Sequence, residues 1–144
     1  MSKTITAVNA KYSLAVPPVF AVPQTLQGYS ADTMFTTEAL ENVELVQGVD
    51  GELSGGFVYN PVPQTIEIMP DSDSLDLFEQ WYNYQLATHE TAIASGAIVI
   101  PSIGKSYTMQ KGFLSSYMPI VDAKKVLQAV RIRITWKRII VAPV

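Results

Sequence analysis

Cysteine is absent from this chain, which excludes disulfides, thiolate nucleophiles and cysteine-bound metals and leaves the redox compartment undetermined. Histidine occurs once, as His89, so one copy can build neither a catalytic triad nor a multi-histidine metal site. No apolar run approaches the ~18–20 residues of a membrane-spanning helix. The first eight residues lack the hydrophobic stretch and small-residue cleavage site of a signal peptide. The expectation is a subunit that takes no cofactor and inserts in no membrane. Positive charge is also missing over a long interval: no Lys or Arg occurs between Lys11 and Lys105.

That gap is acidic. Twelve of the 13 acids fall inside it: Asp32, Glu38, Glu41, Glu44, Asp50, Glu52, Glu67, Asp71, Asp73, Asp76, Glu79 and Glu90. Six of the ten bases cluster in 124–138: Lys124, Lys125, Arg131, Arg133, Lys137 and Arg138. If the two regions lie on different surfaces, the acidic patch of one copy meets the basic patch of the next, which sets partner and register. Intramolecular pairing of the same charges is the equal alternative. The 144 residues suffice for a single domain spanning 1–144,. With 48% apolar and only 16% charged residues, the composition leaves more apolar surface than a small monomer covers, which favours an oligomer.

The hydropathy pattern is mostly that of strands. Thr4 to Val8 and Tyr12 to Val16 read as strands around a turn at Asn9-Ala10-Lys11, while Pro17, Pro18 and Pro23 restrict Val19 to Val22 to an edge segment. Gly28 to Asn42 reads as a structured loop. A hairpin arm follows over 43–60, with its turn at Gly48-Val49-Asp50-Gly51, because Asp-Gly tolerates positive φ. Gly55 and Gly56 in the return arm, beyond Leu53, predict a bulge or a tip that orders against something else. Gln64 to Met69 is a further strand. Asp71 to Ser74 offers helix N-caps, and Leu75, Phe78, Trp81, Tyr82, Leu86, His89 and Ile93 form one apolar stripe. The spacing predicts a helix over 72–95, capped by Gly96. Strands resume at Ala97–Ile100, Tyr107–Gln110 and Phe113–Tyr117. The last, Val126 to Lys137, places Val130, Ile132, Ile134 and Trp136 on one face and Arg131, Arg133, Thr135 and Lys137 on the other. An almost chargeless arm, 138–144, ends the chain.

Enzymatic patterns fail on spacing. Gly104-Lys105-Ser106 resembles the end of a phosphate loop, but the leading glycine would fall at Val99. Asp71 and Asp73 open a calcium-loop pattern whose turn glycine would be Asp76 and whose closing glutamate would be Tyr82; helix capping accounts for them better. His89, within the apolar stripe, reads as a histidine hydrogen-bonded in a core or a subunit contact. Nucleic-acid binding by Arg131, Arg133 and Lys137 is disfavoured by the acidic pI of about 5.0 and by the lack of a stacking aromatic on their face. The expectation is no enzyme.

A set of segments resembles one family over residues 25–137. Thr25-Leu26-Gln27-Gly28-Tyr29-Ser30-Ala31-Asp32-Thr33-Met34-Phe35 and Gly48-Val49-Asp50-Gly51-x-Leu53-Ser54-x-Gly56 are similar to successive blocks of bacteriophage tail tube proteins. Asp71-Ser72 through Phe78-Glu79-Gln80-Trp81 resembles their central helix. Ile100-Pro101-x-Ile103-Gly104-Lys105-x-Tyr107, Lys111-Gly112-x-Leu114, Lys124-Lys125-Val126-Leu127-Gln128 and Ile134-Thr135-Trp136 complete the match. Ala129 stands where the family pattern has proline. Some members carry the label tail fibre protein, although fibres are long, repetitive and trimeric. The resemblance implies a mainly β fold with one α-helix, a β-barrel or sandwich with a long stacking hairpin. It also implies hexameric rings that stack into a tube for DNA ejection, with the hairpin reaching the adjacent ring. The implied partners are further copies of the chain together with tail sheath, tape measure, baseplate and tail terminator proteins. Viral DNA passes through without specific binding. The implied location is the virion tail, assembled in the host cytoplasm. From the charge division, Glu44, Glu52 and Glu67 are expected on an acidic lumen that repels phosphate, and the 124–138 bases on subunit or sheath contacts. Two alternatives stay open: the tube subunit of a contractile secretion or toxin-delivery machine, and a soluble β-sandwich binding module.

Overall fold

The computed structural model describes residues 10–17, 19–26 and 35–143. The strand expected over 4–8 and residues 28–34 of the expected loop lie outside them. In chain order the elements are β1 (Lys11–Val16), β2 (Phe20–Thr25), β3 (Phe35–Thr37), β4 (Val43–Gln47), β5 (Leu53–Phe57), β6 (Val62–Ile68), α1 (Ser74–Thr88), β7 (Ala94–Ile100), β8 (Lys105–Tyr117) and β9 (Val130–Pro143). The fold is mainly β with one α-helix, as the pattern predicts.

Seven strands form one antiparallel sheet in the order β2-β1-β7-β8-β9-β6-β3, and β4 and β5 form a separate pair. The sheet is open, which corrects the expectation of a closed barrel within one copy. Its outer strands are poorly suited to pair with each other. Pro23 in β2 has no N–H to donate, and β3 is only three residues long, both marks of edge strands.

β9 shows the expected alternation: Val130, Ile132, Ile134 and Trp136 are buried while Arg131 and Arg133 are exposed. It also runs further than expected. Residues 138–143 are not a separate arm but continue the ladder with β8, with Met109 opposite Ile139 and Tyr107 opposite Val141. The two strands expected at Tyr107–Gln110 and Phe113–Tyr117 are one. Lys111 adopts a positive φ of 52° instead of ending the strand. Its neighbour Gly112 lies opposite Trp136, and a Cβ there would come within 2.6 Å of the indole ring. Only glycine lets that ring pack against β8.

Helix α1 is shorter than the predicted 72–95. It ends at Thr88, where His89 takes a left-handed conformation (φ 59°) and donates its backbone N–H to Gln85 O at 2.9 Å. Gly96, the expected cap, instead lies inside β7. The apolar stripe is correspondingly short: Leu75, Phe78 and Trp81 are buried, but Leu86 and Ile93 are exposed. His89 is exposed, not in a core. The chain doubles back directly after the helix, since Trp81 Nε1–H donates to Ala92 O at 3.1 Å. At the other end, Ser72 Oγ accepts the Ser74 N–H at 3.1 Å, and Asp73 makes no side-chain cap. The hydroxyl, not the acids, caps this helix.

A single buried cluster unites the helix residues with Tyr12, Leu14, Ile66, Ile132 and Trp136. Gln64 is the polar group inside it, 1% exposed. Its Oε1 accepts from Tyr12 O–H at 2.5 Å and from Trp136 Nε1–H at 3.2 Å, and its Nε2–H donates to Thr37 Oγ1 at 3.2 Å. Replacing Gln64 with Leu strands two buried donors at ~1–3 kcal/mol each, so Gln64→Leu is expected to lose about 3 kcal/mol in urea unfolding.

Tyr117, at the end of β8, packs against Tyr82 with ring centroids 5.1 Å apart. Burial, then the Glu79 charge, then Tyr82 push its phenol up to about 12 from 10.0. Above 10 the unfolded chain binds fewer protons than the folded one, so this group's contribution to stability is full below 10 and lost as pH rises to about 12,. Tyr117→Phe is expected to flatten that alkaline decline, read as unfolding free energy across the same window.

Candidate assembly surfaces

The β4–β5 hairpin projects from the sheet. Its turn is a three-residue loop: Gly51 N–H donates to Gly48 O at 3.0 Å, and Gly48 N–H donates to Glu52 O at 2.8 Å. Gly51 sits at φ 89°, the left-handed position that closes this loop type,. Asp50 Oδ1 accepts the Glu52 N–H at 3.1 Å. The register runs unbroken from Val43 opposite Phe57 to Gln47 opposite Leu53, so Gly55 and Gly56 make no bulge. A Cβ at Gly55 would sit 3.2–3.3 Å from the Leu45 and Val43 side chains, which lean over it.

Directly opposed residues share a face. Val43, Leu45, Leu53 and Phe57 therefore line one side, and Glu44, Val46 and Ser54 the other. The apolar side is open to solvent, with Leu45, Leu53 and Phe57 each 62% exposed. Tyr59 meets the Phe57 ring edge-on at 4.9 Å. The base is held by Val58 N–H to Asn42 O at 2.9 Å and by the Asn60 side-chain amide to Glu41 O. A two-stranded hairpin with one uncovered apolar face is marginal in water and is completed by a third surface.

Beside that base lie two concavities. The first is an apolar groove of about 340 Å³ lined by Phe35, Thr37, Glu38, Leu40, Val62, Gln64, Ile98, Ile100, Tyr107, Met109, Ile139 and Val141. The second, of about 500 Å³, is lined by Tyr59, Asn60, Pro61, Lys137 and Arg138. Both border the stretch of β9 beyond Trp136. There β6 has ended, since its pairing with β9 stops at Val62 opposite Trp136. From Lys137 to Pro143, β9 keeps β8 on one side and has no strand on the other among the described residues.

The expected charge surfaces divide differently from the sequence. Glu67 and Arg131 are directly opposed on β6 and β9 and form an ion pair at 3.3 Å. Glu38 pairs with Arg133 at 3.1 Å. An acid expected on the lumen thus shares a face with a base expected elsewhere, and the intramolecular alternative holds for these two pairs. Glu44, Asp50 and Glu52 stay exposed on the hairpin, with no ion pair among the described residues. The six bases occupy three places. Arg131 and Arg133 are on the outer sheet face, Lys137 and Arg138 beside the hairpin base, and Lys124 and Lys125 in the irregular segment before β9. That segment also exposes Ile120, Val126 and Leu127. Sequence reasoning found the hairpin but missed the groove, whose lining comes from five strands far apart in the chain.

No group of three or more potential metal ligands occurs among the described residues, and no helix is long and apolar enough to cross a membrane. A family model described as tail fiber protein gp32 matches residues 3–140. The chain belongs to that family. It is thus a member of a phage tail protein family, whose proteins are structural parts of the particle and not typically enzymes. No functionally curated protein matches the sequence. Its fold is shared with solved chains from contractile particles. One, in a cryo-EM structure of the anti-feeding prophage baseplate, superposes with a TM-score of 0.60 at 13% identity, covering 99% of this chain and 98% of that one. Another, from the cap that terminates the anti-feeding prophage tube, gives 0.59 at 12% identity, covering 100% and 94%. A third, from the extended sheath–tube complex of the PVC extracellular contractile injection system, gives 0.52 at 15% identity, covering 95% and 90%.

Because the hairpin's side chains lie outside the buried cluster, Phe57→Ser is expected to shift the unfolding free energy of the isolated subunit by less than about 1 kcal/mol. Circular dichroism and urea unfolding check this.

Proposed function

We propose that this protein is a tube-forming subunit of a phage tail, assembling as hexameric rings that stack into a conduit for DNA ejection. The observation that carries this reading is the β4–β5 hairpin, an arm with an uncovered apolar face that makes sense on a neighbouring copy. The open sheet supports it, because edge strands left unpaired in one copy are completed by neighbours in a ring. The shared fold with chains of baseplate, cap and sheath–tube assemblies supports it further. Sheath, tape measure, baseplate and terminator proteins are then the natural partners, the virion tail the final location, and the host cytoplasm the place of assembly.

The acids that face a lumen in this proposal are Glu44 and Glu52, exposed and without ion pairs among the described residues; Glu67 contributes less, being balanced by Arg131. A net charge of −3 per copy makes each ring negative, which lets phosphate slide without adhering. A second reading, the tube subunit of a contractile secretion or toxin-delivery machine, is favoured by the likeness to a chain of the sheath–tube complex of an extracellular contractile injection system. It uses the same surfaces.

Negative-stain microscopy of the purified protein tests the proposal. Rings stacked into tubes are expected, whereas uniform small particles at every concentration would leave a soluble binding module as the better account. In an assembled tube, arginine density on the channel wall at Arg131 would refute the lumen assignment.

A further inference from the structure

We propose that Asp50 is a modification site, at which the turn between β4 and β5 converts its own aspartate to isoaspartate through a succinimide ring. The co-reactant is water. The product is an isoaspartyl carboxylate, the group that repair methyltransferases take as a methyl acceptor.

Asp50-Gly51 is the one Asp-Gly pair in the sequence, and Asn-Gly does not occur. Glycine matters because ring closure brings the Asp50 carboxyl carbon onto the Gly51 nitrogen, and a side chain on residue 51 crowds that approach. The space here is open: beyond the chain neighbours, no atom lies within 4 Å of where a Gly51 Cβ would stand. Residues 48–52 are all exposed, so water reaches the ring once it forms.

The turn also arranges the reacting groups. Asp50 Oδ1 accepts the Glu52 N–H at 3.1 Å, an Asx-type contact that folds the carboxyl back along the chain toward the Gly51 peptide. The same hydrogen bond is made to a carboxyl oxygen that gains negative charge as the nitrogen adds to Cγ, which is the place of an oxyanion donor. The Gly51 N–H is directed at Gly48 O, 3.0 Å away, so the departing proton has an acceptor. Gly48 is what admits the carboxylate, since a Cβ there would stand 2.7 Å from Asp50 Oδ1. Electrophile, nucleophile and both hydrogen-bond partners come from residues 48–52. Their mutual placement is held by Gly48 N–H donating to Glu52 O at 2.8 Å,.

Water alone balances the step. The Gly51 nitrogen forms a bond to Asp50 Cγ; the carboxyl, in its neutral form, gives up its hydroxyl and the nitrogen its proton, and the two leave as one water. Water then returns to either ring carbonyl. Addition at Cγ restores aspartate. Addition at the main-chain carbonyl carbon breaks its bond to the Gly51 nitrogen, and the chain then runs through Cβ and Cγ with one extra backbone atom. That atom falls inside the loop that sets the β4–β5 register.

Ageing the dilute purified protein in neutral buffer tests the proposal. The probe is a protein-isoaspartate methyltransferase with radiolabelled S-adenosylmethionine, followed by digestion and peptide mapping. Label is expected to accumulate over weeks in the peptide carrying Asp50, ahead of every other aspartate or asparagine peptide. Asp50→Glu, whose carboxyl would have to close a larger ring, is expected to lose it. Gly48→Ala separates the turn from the Asp-Gly pair: it keeps the pair and displaces the carboxyl, so the labelling rate at Asp50 is expected to fall by about tenfold or more. Circular dichroism verifies that both variants fold.

A second readout needs no variant. In heavy-oxygen water each cycle of closing and opening leaves one heavy oxygen on residue 50, which mass spectrometry of the same peptide reads. Unaltered protein that gains neither methyl label nor heavy oxygen at residue 50 overturns the proposal. Equal labelling rates in folded Gly48→Ala and the unaltered protein overturn it too, because the turn would then have no part in the reaction.

Discussion

Gln64 accepts two hydrogen bonds on one side-chain oxygen in the middle of the core, from Tyr12 on β1 and Trp136 on β9, and donates a third to Thr37 on β3. Residues from four strands meet at this amide, and a polar group buried so deeply is tolerated only when its partners are in place. The alternation of β6 follows from it. With Gln64 inward, Val62, Ile66 and Ile68 are inward too, and Glu67 must face out opposite Arg131. The same constraint places Trp136 against Gly112, and so sets the point where β6 ends and β9 continues without it. The hairpin, the groove and the basic cavity all gather around that point.

Charge is arranged locally and not as two poles. The register of β6 with β9 neutralises one acid–base pair on the outer face, and Glu38 neutralises Arg133 from the segment after β3. Among the described residues, the acids of the hairpin and those around the helix, from Asp71 to Glu90, make no ion pair, nor do the bases beside the hairpin's foot and before β9. Exposed ion pairs of this sort contribute little to stability. Their effect is to remove charge from the sheet face.

Much of the fold was legible in the residues. The strict alternation from Val130 to Trp136 marked β9, Asp50-Gly51 marked the hairpin turn, and Pro23 marked an edge. The helix was misjudged in length because Leu86 and Ile93 continue its apolar spacing, yet backbone geometry at His89 ends it. Apolar spacing reports what could be buried, and the reversal that pins Ala92 to Trp81 decides what is. Gly112 misled in the opposite way, since a glycine ordinarily weakens a strand and here it lets β8 continue past the Trp136 ring,. The groove was not legible at all. Its walls come from segments as far apart in the chain as Phe35 and Val141, and no local pattern encodes a shared concavity.

The hairpin is a single arm with nothing like it among the described residues. Any stack in which such an arm reaches from one layer to the next has two unlike ends, one bristling with arms and the other bare. Growth at those ends proceeds by different encounters, an incoming arm finding a seat in one case and an incoming seat finding an arm in the other. A particle of defined length then requires two different stoppers. In such a stack, direction would be written into a hairpin of fifteen residues, Val43–Phe57.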